Sequence, residues 1–202
     1  MSNNEFSYYT IDEIGEAEFK DRGSKFFGFC FPINTMDEFK TELKKIKDKH
    51  PKAVHFCSAY RIGFDGNSFR ASDDGEPSGS AGKPILRQID SNNLTNVAVV
   101  VVRYFGGTLL GIPGLINAYK TTAALALQFV EIIQKPILVK FKIQFDYTQM
   151  NEVMMVVKQF DCIIEKQEMQ LFCSLQIGVP KNNLQEVQNK LAELRDVEII
   201  VN

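Results

Sequence analysis

Runs of β-branched and aromatic residues alternate along this chain with stretches whose apolar positions recur at helical spacing. Residues 24–33 read as an aromatic-rich strand containing Phe26, Phe27, Phe29 and Phe31. Thr35 and Glu38 form a capping-box pair, and Phe39, Leu43 and Ile46 follow at helical spacing, which predicts a helix over 36–49 ended by Pro51. Residues 54–64 alternate, with Val54, Phe56, Tyr60, Ile62 and Phe64 on one face and His55, Cys57 and Arg61 on the other. Asp65-Gly66-Asn67 is a turn signal, and 68–72 is the returning strand of a hairpin. A short helix starts within 84–89. Residues 97–102 are a nearly unbroken valine run, the pattern of a central strand covered on both faces. A helix over about 114–130 follows, with Leu115, Tyr119, Thr122, Leu125 and Ala126 available for one packed stripe.

Past Gln134-Lys135-Pro136 the pattern restarts. Strand, helix, strand, strand, helix and strand are predicted over 137–147, 148–160, 162–169, 171–179, 182–194 and 197–201. In the second helix Leu184, Val187, Leu191 and Leu194 face inward. The order βαββαβ is that of the ferredoxin-like split βαβ sandwich, a fold that implies no function by itself. The expected class is therefore α+β in two domains, 1–135 and 136–202.

Composition adds exclusions. Apolar residues make up 45% and charged residues 24%, ordinary for a globular chain with a sizeable core. No apolar run approaches the about 20 residues of a membrane span, and the start lacks the basic and apolar regions of a secretory signal. Cys30, Cys57, Cys162 and Cys173 are scattered without a CxxC pair, so reduced thiols and a cytoplasmic location are expected. Basic and acidic side chains balance through residue 135, and the tail supplies the net charge of −2. There is no global nucleic-acid footprint. Lys40, Lys44, Lys45, Lys47, Lys49 and Lys52 do cluster, but Glu38, Glu42 and Asp48 interleave with them; both a solvated helix face and a basic rim for RNA fit.

Chemistry-bearing residues concentrate between Ser72 and Lys120. An acidic, glycine-rich loop (Ser72-Asp-Asp-Gly-Glu-Pro-Ser-Gly-Ser-Ala-Gly-Lys-Pro84) precedes the valine strand, and Arg103-Tyr-Phe-Gly-Gly107 follows it. Glycine concentrates where the chain turns at positive φ or lets a partner approach. The candidate binding residues are Asp73, Asp74, Glu76, Lys83, Arg103, Tyr104, Gly106 and Gly107. Free N–H groups at Gly106 and Gly107 with Arg103 would hold an anion, and Tyr104 or Phe105 would stack on a base. The alternative is that Arg103 pairs internally with Asp73, Asp74 or Glu76. Residues 79–83 fail as a phosphate loop, because Pro77 and Pro84 occupy the positions of the first glycine and the magnesium-binding hydroxyl. His55 and Cys57 share a strand face as possible secondary residues, but no orienting acid completes a thiol hydrolase. Carboxylates at 73, 74 and 76 do not have the spacing of a known metal loop. No catalytic residue, metal or cofactor is therefore expected.

Three separated segments carry a resemblance: residues 72–79, residues 82–86, and Val99-Val-Val-Val-Arg-Tyr-Phe-Gly-Gly-Thr-Leu-Leu-Gly111, together with the His55-x-Cys57-x-Ala-Tyr60 strand. They resemble the IMPACT/YigZ family over roughly residues 18–130, and the tail is similar to the second domain of its bacterial members. Pro113 and Asn117 depart from that family's pattern, which has glycine and arginine there, so no anion contact is carried over to residue 117. The resemblance implies a first domain like one in a small-subunit ribosomal protein and like domain IV of elongation factor G, with a tail like domain V. It also implies translation, since eukaryotic relatives restrain activation of an initiation-factor kinase by competing for its activator. The expected function is regulation of translation by binding the ribosome, structured RNA or a translation-associated protein through the glycine loops, without catalysis. A protein–protein adaptor with no RNA contact, and a hydrolase using His55 and Cys57 or a loop-bound metal, are the alternatives.

Overall fold

The structure is a computed structural model that describes residues 5–64, 67–170 and 172–200. It divides into two compact units, residues 8–135 and residues 136–200 together with 5–7. The first unit is built on strands β2 (Gly15–Asp21), β3 (Ser24–Pro32), β4 (His55–Ile62), β5 (Ser68–Ser72) and β6 (Val97–Tyr104) and on helices α1 (Met36–Lys49), α2 (Gly82–Ser91) and α3 (Gly111–Gln128). The five strands form one antiparallel sheet in the order β2-β3-β6-β4-β5. β1 (Ser7–Thr10) and β7 (Ile133–Pro136) pair as a separate ribbon.

β6 sits at the sheet's centre, and its residues through Arg103 are buried, as a β-branched run packed from both sides requires. On one face Phe29, Phe31, Phe56, Tyr60, Val100 and Val102 pack with Phe39 and Ile46 of α1. On the other, Phe26, Cys57, Val99 and Val101 pack with Ile85 and Ile89 of α2 and Leu115 and Tyr119 of α3. The alternation in β4 therefore separates two buried faces, and the flanking Val54 and Phe64 are exposed outside the strand. At the start of α1 the Thr35 hydroxyl accepts from the Glu38 N–H while the Glu38 carboxylate accepts from Asn34 N–H, a capping box displaced by one residue. α3 begins three residues before the pattern suggests. Pro113 falls in its first turn, where a missing N–H leaves no helix bond unmade. The turn expected at Asp65-Gly66 lies outside the described residues.

The second unit runs β8 (Leu138–Asp146), α4 (Met150–Gln159), β9 (Ile163–Glu168), β10 (Phe172–Pro180), α5 (Leu184–Glu193) and β11 (Val197–Ile200). Its antiparallel sheet has the order β11-β8-β10-β9. Phe141, Ile143, Phe145, Cys173, Leu175, Ile177 and Val179 face one core with Val153, Val156 and Val157 of α4 and Val187 and Leu191 of α5. Leu184 and Leu194 are partly buried against that core. Lys140, Lys142 and Gln144 alternate with this set in β8, as a sheet covered on a single face requires. No helix among the described residues is long and apolar enough to cross a membrane.

Candidate functional site

The acidic loop between β5 and α2 folds onto the end of the sheet, and its three carboxylates turn inward. α2 begins without a side-chain cap of its own. Asp73 supplies one from upstream: its Oδ2 accepts from Gly79 N–H at 2.8 Å, and its Oδ1 accepts from Ala81 and Gly82 N–H at 3.0 and 2.8 Å. The Ala81 and Gly82 groups stand at the helix start, where N–H donors are left unpaired, and the Gly79 bond closes the loop before it. Partial burial works against the Asp73 charge, but the three N–H bonds and the nearby Lys83 outweigh it and hold the carboxyl below its ordinary range. Asp74, at φ 41°, closes the turn. Its Oδ2 accepts from Phe56 N–H at 2.7 Å, and its carbonyl accepts from His55 Nδ1 at 2.8 Å.

Glu76 goes deepest. Its Oε1 accepts from Arg103 Nη1 at 2.6 Å and from the Tyr119 hydroxyl at 2.7 Å. The side chains of Arg103 and Glu76 are 8% and 4% exposed. The guanidinium lies 5.7 Å from the Phe26 ring centre and 5.6 Å from that of Phe105, and its Nε has no hydrogen-bond partner among the described residues. Cys57 donates its thiol to the Asp73 carbonyl at 2.9 Å. Burial first, then the surrounding carboxylates, pushes that thiol up to about 12, which removes the thiolate a nucleophile needs. Burial, the adjacent Cys57 and Glu76 all push the Tyr119 hydroxyl upward. His55 and Cys57 thus share a strand face, but both bond the loop backbone rather than each other.

The sequence grouping of Arg103 with Tyr104 separates here, because consecutive strand residues point to opposite faces. Arg103 lies on the α2–α3 side. Tyr104 lies on the α1 side, its hydroxyl 3.0 Å from His50 Nδ1. Arg103 is consumed by Glu76 and by two aromatic rings, so it does not offer charge to solvent. Lys83 is exposed in the first turn of α2.

Gly106 and Gly107 are exposed, but the loop they form is braced from behind. A Cβ on Gly106 would sit 1.9 Å from the carbonyl carbon of Gly23, in the turn between β2 and β3, so only glycine lets the two backbones approach. Gly106 N–H donates to Ser24 Oγ at 3.2 Å, and Arg22 Nη2 donates to the Leu110 carbonyl at 3.0 Å. The Gly106 N–H expected to receive an anion is thereby occupied.

What remains outward is largely apolar. Phe105, Leu109, Ile112 and Ile116 are 59%, 81%, 53% and 36% exposed, no charged residue occurs in the sequence between Arg103 and Lys120, and the half-exposed Arg22 reaches this surface from the β2–β3 turn. Clustering of charged and nucleophilic residues along the sequence does not point to this surface, nor to Tyr119 and the Arg22–Ser24 brace, which lies some eighty residues from the loop it supports. The uncharged run from 104 to 119 is its visible signal in the sequence. Among the described residues no cluster of histidine, cysteine and carboxylate side chains has the closeness of a metal site.

Known proteins resemble this chain in sequence and in fold. The sequence model of the Impact N-terminal domain matches residues 22–127. An IMPACT family member of Haemophilus influenzae is 32% identical over 190 residues, covering 93% of this chain and 91% of its own. The Bacillus subtilis family member YvyE is 37% identical over 147 residues, covering 73% and 68%. A crystal structure of a hypothetical protein, 28% identical, superposes with a TM-score of 0.77 over 98% of both chains. The segments that build the braced loops fall inside the matched region, and the chain belongs to the IMPACT family.

Proposed function

We propose that this chain is a non-catalytic regulator of translation whose first domain, residues 1–135, docks a translation-associated protein through the loop after β6 and the start of α3. The observation that carries this reading is the outward apolar set of Phe105, Leu109, Ile112 and Ile116, in a stretch with no charged residue between Arg103 and Lys120; the half-exposed Arg22 at its edge is committed to the Leu110 carbonyl and to Asp21. Contact with RNA phosphates requires cations at the contact, whereas the centre of a protein interface is apolar and depleted in charge. Asp73, Asp74 and Glu76 serve as internal ties in this reading. Arg103 clamps the loop, Gly106 and Gly107 shape it, His55 and Cys57 anchor it from β4, and Lys83 supplies a rim cation.

The translation setting rests on the family resemblance, as does the likeness of the two domains to parts of elongation factor G, while a cytoplasmic location rests on the scattered cysteines and the lack of a secretory signal pattern. The second domain, residues 136–202, is read as ferredoxin-like, supported by its element order and the strand order β11-β8-β10-β9.

The test is co-sedimentation of the purified protein with ribosomal subunits and with bare ribosomal RNA, at low and moderate salt. The expected result is binding to subunits that persists in moderate salt and is lost in Leu109→Asp/Ile112→Asp, with melting temperature unchanged. Absence of binding to subunits at any salt removes the ribosomal setting. Binding untouched by the double substitution removes this loop as the contact.

A further inference from the structure

The opposite face of the same sheet ends in a different surface. Antiparallel register places Lys25 of β3 directly across from Tyr104 of β6, and Lys20 of β2 across from Lys25, so all three side chains share the α1 face. Tyr104 and Phe27 are only partly buried there, meeting edge to face with ring centres 5.8 Å apart. His50, at the close of α1, completes the cluster at 5.3 Å from Phe27 and 5.9 Å from Tyr104. Lys49 and Lys52 flank His50 in sequence and are exposed. No carboxylate of the described residues pairs with Lys25, Lys49 or Lys52, while Lys20 is held by Glu18. Glu16 and Asp48 are the other acidic groups nearby, so cations prevail locally in a chain of net charge −2.

Partly exposed rings with unpaired lysines at the same end of the sheet suit a strand of unstacked bases: the open ring edges and faces take the bases, and ammonium groups follow the phosphates. An acidic peptide would use the lysines but gain little from the rings. We propose that the end of the sheet carrying Tyr104, Phe27, Lys25, Lys49 and Lys52 binds single-stranded RNA. This surface is separate from the apolar loop, which lies on the α2–α3 side. The choice of RNA over DNA rests on the translation reading above.

The test is fluorescence anisotropy of a labelled short oligouridylate with the intact protein across a salt series. Binding is expected to weaken linearly in log–log form with salt. Lys49→Gln/Lys52→Gln should reduce that slope by about 1.4, at about 0.7 for each phosphate that a single strand no longer has neutralised. Tyr104→Leu should weaken binding about tenfold and Tyr104→Phe very little, as loss of one stacked base predicts. Both lysines are exposed, so their variant decides the matter even if Tyr104→Leu loosens the fold. Leu109→Asp/Ile112→Asp should leave oligouridylate binding unchanged, which separates failure here from failure of the docking loop. The proposal is overturned by absent binding at low salt, by a salt slope insensitive to the lysine pair, by equal binding of Tyr104→Leu, or by equal affinity for oligothymidylate. Competition by polyglutamate as effective as by RNA overturns it as well, assigning the face to an acidic protein segment.

Discussion

Substituting Glu76 by glutamine tests the central tie between the loop and the sheet. The side chain keeps its shape and an acceptor oxygen for both Arg103 and the Tyr119 hydroxyl, but the Arg103 charge loses its counterion. With the two side chains 4% and 8% exposed, the remaining guanidinium cannot recover its hydration. Breaking one partner of such a pair costs about 3–5 kcal/mol. The retained neutral hydrogen bonds place glutamine near about 3 kcal/mol, since charge-assisted bonds are roughly twice as strong as neutral ones. For a chain of this size that corresponds to a fall in Tm of roughly 6–12 °C. Circular dichroism melts and urea titrations followed by tyrosine fluorescence supply the measurement, there being no tryptophan in the chain. The double variant Glu76→Leu/Arg103→Met should be less destabilised than the sum of its single changes, because the two sites are in contact. A loss below about 1 kcal/mol for Glu76→Gln, or additive single changes, would refute a buried, mutually dependent pair.

Three other outcomes follow from the same geometry. Asp73→Ala should cost about 1–2 kcal/mol at neutral pH, as loss of a helix cap does. Because the folded carboxyl titrates below its unfolded value, this contribution is complete above the ordinary carboxylate range and disappears as pH falls through the folded pKa. Acid titrations of variant and wild type should therefore converge at low pH, and a constant gap would contradict the capping role. Cys57, pushed up to about 12 and wholly buried, should resist a thiol-specific disulfide reagent at mildly alkaline pH until the chain is unfolded, as read by peptide mapping. Gly106→Ala, whose Cβ meets the Gly23 backbone, should cost about 1–3 kcal/mol by overpacking or more. Gly107→Ala, at φ 86° in open space, should cost only the about 1–2 kcal/mol of a left-handed backbone; equal Tm losses would contradict the brace.

Much of the architecture was legible because the strongest elements announce themselves. The valine run of β6 could only be a strand covered on both faces, and Thr35 with Glu38 marked the start of α1. β2 was not legible: Gly-Glu-Ala-Glu-Phe-Lys-Asp offers two modest apolar positions among charges, and register with β3 decides its place. At the site, the density of glycine and carboxylate marked loops whose residues the fold ties to the sheet, but not which groups they bond. Carboxylates that look poised for a partner instead bond the loop's own N–H groups (Asp73) or groups outside it (Asp74 and Glu76), and that choice depends on how the strands and α3 bring Phe56, Arg103 and Tyr119 nearby. The separation of Arg103 from Tyr104 was available from strand alternation alone. The brace at Arg22, Gly23 and Ser24 was not, since it joins segments some eighty residues apart.

The Asp73 cap also changes what its loop is mechanically. By composition, residues 73–81 are a linker, with glycine, serine and proline around acidic groups. Yet one carboxylate ties the loop's first residue to the N–H groups at its far end, closing it into a ring that Asp74 and Glu76 rivet to β4 and β6. A protease that must draw out an extended segment would have to release those ties together. The loop should thus survive digestion under native conditions and transmit force as stiffly as the sheet beneath it.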